Sequence, residues 1–112
     1  MLRGAEAEQR SADYLASQGL RLLARNWRCR GGEIDLIMMD GRTLVFVEVR
    51  ARSSMKFGGA GASITHSKQA RIILAARHYL ATHDIDAPCR FDAVLLQGNQ
   101  LEWLKSAFDL TA

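Results

Sequence analysis

Glu33 and Asp35 lie within Gly32-Glu33-Ile34-Asp35-Leu36-Ile37, and Glu48 lies within Val45-Phe46-Val47-Glu48-Val49-Arg50. Both runs read as β-strands, and a carboxylate among apolar neighbours is costly unless a positive charge meets it. The runs flank Asp40-Gly41, a strong hairpin signal. If Met39 and Arg42 close a two-residue turn, Glu33 opposes Glu48 and Asp35 opposes Phe46. Asp35 and Glu48 then become same-face diagonal neighbours, roughly 7–8 Å apart at the backbone. Two carboxylates at that spacing can converge on one cation. Like charges directly opposite each other destabilise a sheet, and a divalent metal would remove that penalty. Mg²⁺ suits the site, because it takes oxygen ligands and keeps several waters; Mn²⁺ is the alternative. Two other readings stand beside the metal. The carboxylates could be edge-strand charges facing solvent, or they could pair with Arg50 or Arg52 and hold no metal.

The elements that must position these residues follow from periodicity and punctuation. Residues from about Gly4 to Gln18 read as a helix stopped by Gly19, with Ala5, Glu8, Ala12, Leu15 and Ala16 on one face. Leu20 to Arg28 reads as a strand ended by Gly31-Gly32. Strands follow at about 33–39 and 43–51, then a loop from Ser53 to Ser63 that contains Gly58, Gly59 and Gly61. Thr65 or Ser67 can cap a second helix running to about Thr82, with Ile72, Ile73, Ala76, Tyr79 and Leu80 as its apolar side. A second stripe on that helix, Lys68, Arg71 and His78, could meet phosphates or simply face solvent. Pro88 marks a boundary, 90–96 reads as a strand, Gly98-Asn99 as a turn, and 101–108 as a short last strand. The expectation is an α/β domain spanning 1–112, with a mixed central sheet flanked by helices in the order α-β-β-β-α-β-β.

Side chains alternate along a strand. Ile34, Leu36 and Met38 should share a wholly apolar face with Val45, Val47 and Val49. The other face carries Glu33, Asp35 and Ile37 with Leu44, Phe46, Glu48, Arg50 and Arg52. It is apolar near the turn and charged at the far end, where chemistry would sit. Arg50, Arg52, Lys56 and the glycine-rich loop lie near the acids, and glycine backbone amides can approach phosphate.

Composition narrows the classes. No apolar stretch reaches the roughly 18 residues that span a bilayer, so no membrane role is expected. The N-terminus lacks a secretion signal, and Cys29 and Cys89 form no CxxC. A cytoplasmic protein with reduced thiols is the expectation. The net charge of +3 permits a polyanionic partner without demanding one. His66, His78 and His83 share no metal-ligand spacing, and Ser53, Ser54 and Ser63 have no plausible His-acid partners.

An acidic residue on one strand followed by Glu-x-Lys on the next resembles the PD-(D/E)XK nuclease signature. Here it reads Gly32-Glu33-Ile34-Asp35, then Glu48-Val49-Arg50. The nearer resemblance is to the uncharacterised YraN-like family, related to archaeal Holliday-junction resolvases. It is carried in order by Gly4 through Glu8, Ala12 and Tyr14-Leu15, then Asn26-Trp27-Arg28 and Gly32 through Ile37. Phe46 through Arg52, Lys68-Gln69 and Arg90-Phe91-Asp92 complete it. The resemblance implies a restriction-endonuclease-like fold and Mg²⁺-dependent cleavage of DNA, on branched DNA by the resolvase kinship. Cutting a junction needs two sites, hence a homodimer. By position it implies Asp35 and Glu48 as metal ligands, helped by the Val49 carbonyl, with Glu8 as an additional acid and Glu33 completing the shell. Arg50 stands at the lysine position and would position water or phosphate, while Arg52, Lys68 and Arg71 would contact the nucleic-acid backbone. Arginine stays protonated and cannot act as a general base. This departure keeps two alternatives open: a catalytically silent nucleic-acid-binding module, and a scaffold subunit of a DNA-processing assembly.

Overall fold

The computed structural model describes residues 4–52 and 64–109. The expected order holds: α1 (Gly4–Ser17), β1 (Arg21–Cys29), β2 (Gly32–Asp40), β3 (Thr43–Arg52), α2 (His66–His83), β4 (Cys89–Gln97) and β5 (Gln100–Phe108). Each boundary falls within a residue of the sequence reading. Lys56 and the glycine-rich loop lie outside the described residues.

The strands form one five-stranded sheet, ordered β1-β2-β3-β4-β5. Neighbours are antiparallel except β3 and β4. A parallel pair cannot be joined by a tight turn, and the crossover between them carries α2. The helices cover opposite faces. Ala7, Ala12 and Leu15 of α1 pack on Leu36, Met38, Val45, Val47, Val94 and Leu96. Ile72, Ala75, Ala76 and Tyr79 of α2 pack on Ile34, Ile37, Leu44, Phe46 and Phe91. Covered on both sides, β3 and β4 need no polar face, which is why 91–96 is buried throughout.

Local chemistry fixes the helix ends. Gly19 takes φ +97°. The Gly19 N–H donates to Ala16 O at 3.0 Å and the Leu20 N–H to Leu15 O at 3.1 Å, a Schellman stop. The start of α2 is held by Thr65, whose hydroxyl oxygen accepts the Lys68 N–H at 3.1 Å.

The hairpin register differs from the sequence expectation by two residues. Asp40 pairs with Thr43, so Gly41 and Arg42 form the loop, not Asp40 and Gly41. Gly41 takes φ +61° at the first central position, the place a type II′ turn reserves for glycine. A shift of two preserves the faces but changes the partners. Ile37, not Asp35, lies opposite Phe46, and the ladder stops at Leu36 with Val47. One rung further, Asp35 would stand opposite Glu48, where Glu33 was expected.

The alternation also breaks at this point. Leu36 packs with the α1 cluster, as expected, but Ile34 packs with the α2 cluster. Alongside it, Gly32 lies hard against α2: a Cβ there would sit 2.3 Å from the Arg71 carbonyl oxygen.

Candidate metal centre at the opening between β2 and β3

The hydrogen-bonded rungs of this hairpin are Asp40–Thr43, Met38–Val45 and Leu36–Val47, by the alternation of an antiparallel ladder from its closing pair. The next such rung would join Val49 to Ile34. Instead the Val49 N–H donates to Asp35 Oδ2 at 2.8 Å. A side-chain carboxylate takes the place of a backbone carbonyl, and the strands part. Ile34 is thereby free to turn toward α2. The N–H and C=O of one strand residue point to the same side, so the Val49 carbonyl also faces the opening.

Glu48 stands beside this gap and is only 5% exposed. Its carboxyl group is within hydrogen-bonding reach of Asp35, and its proton affinity is raised to a pKa of about 8. Burial is the main cause, and the negative Asp35 is the next. The opposing influence is Lys68, whose Nζ lies 3.4 Å from Glu48 Oε2. Glu8, on α1, feels the charge of Asp35. Its pKa is also raised, by burial and then by the charge of Asp35, against a hydrogen bond from Asn26 and the charge of Arg25. α2 thus sends Lys68 to the gap between the two strands, while Glu8 of α1 lies within the field of Asp35.

The sequence candidates sort as follows. Asp35 and Glu48 come together, and Glu8 lies close enough to feel the charge of Asp35. Glu33 does not oppose Glu48; it pairs with Arg28 at 3.4 Å and adds to the negative field at Glu8. Arg50 is half-buried on the Glu48 face of β3 and forms no hydrogen bond or ion pair among the described residues. The side chain of Arg52 lies outside the described residues. Lys68, expected on the nucleic-acid backbone, has its Nζ beside Glu48. Arg71 is exposed and lines a cleft of about 420 Å³ with Arg28, Cys29, Gly31, Gly32 and Glu33. His78 and His83 are exposed but pack on Trp27, with ring centroids 5.5 and 5.3 Å away. Sequence reasoning missed Asn26 as a partner of Glu8. It lies on β1 level with Asp35, between the Arg25–Leu36 and Trp27–Ile34 pairs. Its φ of +49° is the left-handed conformation that asparagine tolerates best among residues with side chains. An asparagine between Arg25 and Trp27 in a strand was the available signal.

All of these positions fall inside one family match. The model of the uncharacterised protein family UPF0102 matches residues 7–96. The chain belongs to the UPF0102 family. It is 60% identical to the UPF0102 protein NE0719 of Nitrosomonas europaea over 110 residues, covering 96% of this chain and 93% of that protein. A UPF0102 protein of Dechloromonas aromatica is 62% identical over 106 residues, covering 95% and 88%. Another, RALTA_A3032 of Cupriavidus taiwanensis, is 61% identical over 112 residues, covering 98% and 85%.

The donor set of this UPF0102 chain fits a hard cation better than a soft one. Asp35, Glu48 and the Val49 carbonyl offer oxygen, the preference of Mg²⁺. Among the described residues no group of three or more His, Cys, Asp or Glu side chains could hold a metal. An ion here would therefore keep several waters, as Mg²⁺ does. Among the described residues no helix is long and apolar enough to cross a membrane.

Proposed function

We propose that this UPF0102 chain is a nucleic-acid-binding protein of PD-(D/E)XK nuclease fold that cleaves DNA phosphodiester bonds with Mg²⁺ or Mn²⁺. The resemblance to junction resolvases makes branched DNA, cut by a homodimer, the substrate to test first. One observation carries the reading. Asp35 and Glu48 meet at a break in the β2–β3 ladder with Lys68 as the cation beside them. With both carboxylates ionised, the two acids and one ammonium leave a negative charge that attracts a divalent ion, which would displace the proton Glu48 holds up to about pH 8. Asp35 is pre-oriented by the Val49 N–H and Glu48 by Lys68. The metal would supply a bound water that loses its proton more readily than bulk water and so becomes the stronger nucleophile. Glu8, within the field of Asp35, would hydrogen-bond such a water. Arg50, with no protein partner among the described residues, is placed to meet a phosphate, as are Arg28 and Arg71 at the neighbouring cleft.

Titration calorimetry with Mn²⁺, together with cleavage assays on linear, flap and four-way DNA, tests this. Wild type should bind Mn²⁺ and nick at least one substrate, and Asp35→Asn should do neither. Equal Mn²⁺ affinity in the two proteins rules out the site. A second reading, a silent binding module, is favoured by Arg50 at the lysine position. It is marked by DNA binding at low salt with no metal-dependent nicking.

A further inference from the structure

We infer that Lys68, on α2, is the catalytic lysine of this site, holding the scissile phosphate while Arg50 serves binding. The assignment rests on the nuclease reading and goes beyond it by naming which cation acts on the reacting group. Lys68 Nζ is 3.4 Å from Glu48 Oε2, and its side chain is 25% exposed, so one side still opens outward. An ammonium has three donors. With one on Glu48, two remain for a ligand at the same gap. The residue is also fixed in place. Its N–H is held by Thr65 Oγ1, and the Gln69 side-chain amide clamps the Ile64 carbonyl at 2.9 Å. The other described lysine, Lys105, lies over the Trp103 ring at 4.5 Å. Arg50 is the nearest rival, but no described residue anchors it.

The step is a hydrolysis. The water oxygen bonds to phosphorus and the bond from phosphorus to the leaving sugar oxygen breaks. The attacking water gives one proton to solvent, and the leaving oxygen takes one from solvent. Negative charge grows on the non-bridging oxygens during attack, and Lys68 would donate to one of them. A donor aimed at developing charge acts on rate more than on affinity. Arg50, Arg28 and Arg71, meeting phosphates that do not react, act on affinity.

The test uses the full chain, single-turnover cleavage, DNA affinity in Ca²⁺, and Mn²⁺ calorimetry on wild type, Lys68→Met, Lys68→Arg and Arg50→Ala. Lys68→Met should slow cleavage by about 10²–10³-fold. Its DNA affinity should hold within a few-fold, and its Mn²⁺ affinity should be equal or tighter, because a cation beside the ligands is gone. Lys68→Arg should restore part of the rate. Arg50→Ala should weaken DNA affinity more than it slows the bound complex. If Lys68→Met cleaves as fast as wild type, the assignment falls and the nuclease reading stands. If it loses Mn²⁺ binding in step with cleavage, Lys68 merely props Glu48, and the assignment again falls. A wild type that binds DNA but cleaves no substrate overturns the reading and the assignment together.

Discussion

Asp92 and Glu48 are buried carboxyl groups one rung apart on adjacent strands, since Val47 pairs with Asp92 and Glu48 with Ala93. Their surroundings differ completely. Asp92 accepts from Arg90 Nε at 2.9 Å, Arg90 Nη2 at 3.0 Å, Trp103 Nε1 at 2.9 Å and the Ser106 N–H at 2.9 Å. Arg90 Nη2 also reaches Asp40 Oδ2 at 3.0 Å, tying β4 to the end of β2. The pairing raises the Arg90 pKa, chiefly through its hydrogen bonds to Asp92. Glu48 has one lysine and, next to it, another acid. Burial costs both groups, but Asp92 is compensated far more fully from within the protein. A saturated carboxylate is a structural joint. An undersaturated one beside a break in the sheet keeps acceptor capacity that the protein does not fill.

The largest effect should come from the saturated side. Arg90→Ala leaves Asp92 buried without its cation and should cost about 3 kcal/mol of stability. Urea denaturation will measure it. A loss below about 1 kcal/mol would erase the contrast.

Glu48 should behave in the opposite sense. Its folded pKa of about 8 exceeds the ordinary 4.5, so the folded chain binds this proton more tightly than the unfolded chain. The Glu48 contribution to stability is then greatest below pH 4.5, declines as pH rises from 4.5 to 8, and levels off above. In EDTA, Glu48→Gln should flatten that slope and stabilise the protein by roughly 2 kcal/mol at pH 8 with no gain at pH 4. Thermal melts across this range decide it. An unchanged slope would mean that Glu48 ionises freely.

A finer comparison lies at Asp35. Asp35→Asn keeps an acceptor for the Val49 N–H, whereas Asp35→Ala orphans it. Alanine should be less stable than asparagine by about 1–2 kcal/mol, though both should lose Mn²⁺ binding. Equal stabilities would show that water fills the gap at no cost. The smallest effect belongs to the cleft. Arg71→Ala should leave stability unchanged and reduce the salt dependence of DNA binding by about one phosphate contact, read from affinities at several salt concentrations.

The sequence carried the elements well, because their signals are local: Gly19 and Thr65 at helix ends, alternation in 33–39 and 43–51, and Gly98-Asn99 at a turn. It placed Asp35 and Glu48 on neighbouring strands and Glu8 on the inner margin of its helix. It did not carry the register, because Asp40-Gly41 and Gly41-Arg42 are both acceptable loops and only strand pairing selects between them. Nor could it show that Asp35 replaces a backbone acceptor, or that Lys68 turns to Glu48. Those depend on where α2 docks, a long-range fact that no local pattern encodes. Asn26 was hidden for the same reason: its partner is on another element.

Gly32 gives that docking a mechanical tolerance. With no side chain, it lets the Arg71 carbonyl approach to where a Cβ would have been only 2.3 Å away. Gly32→Ala would work as a shim, lifting this part of α2 by roughly 1 Å to restore normal contact. Lys68 lies one turn before Arg71 and rides on the same rigid lever. A displacement of that size is enough to cost about 10²-fold in a positioned reaction. The clearance of a single hydrogen atom, on a strand residue beside the cleft, thus sets how closely the second helix can dock on β2.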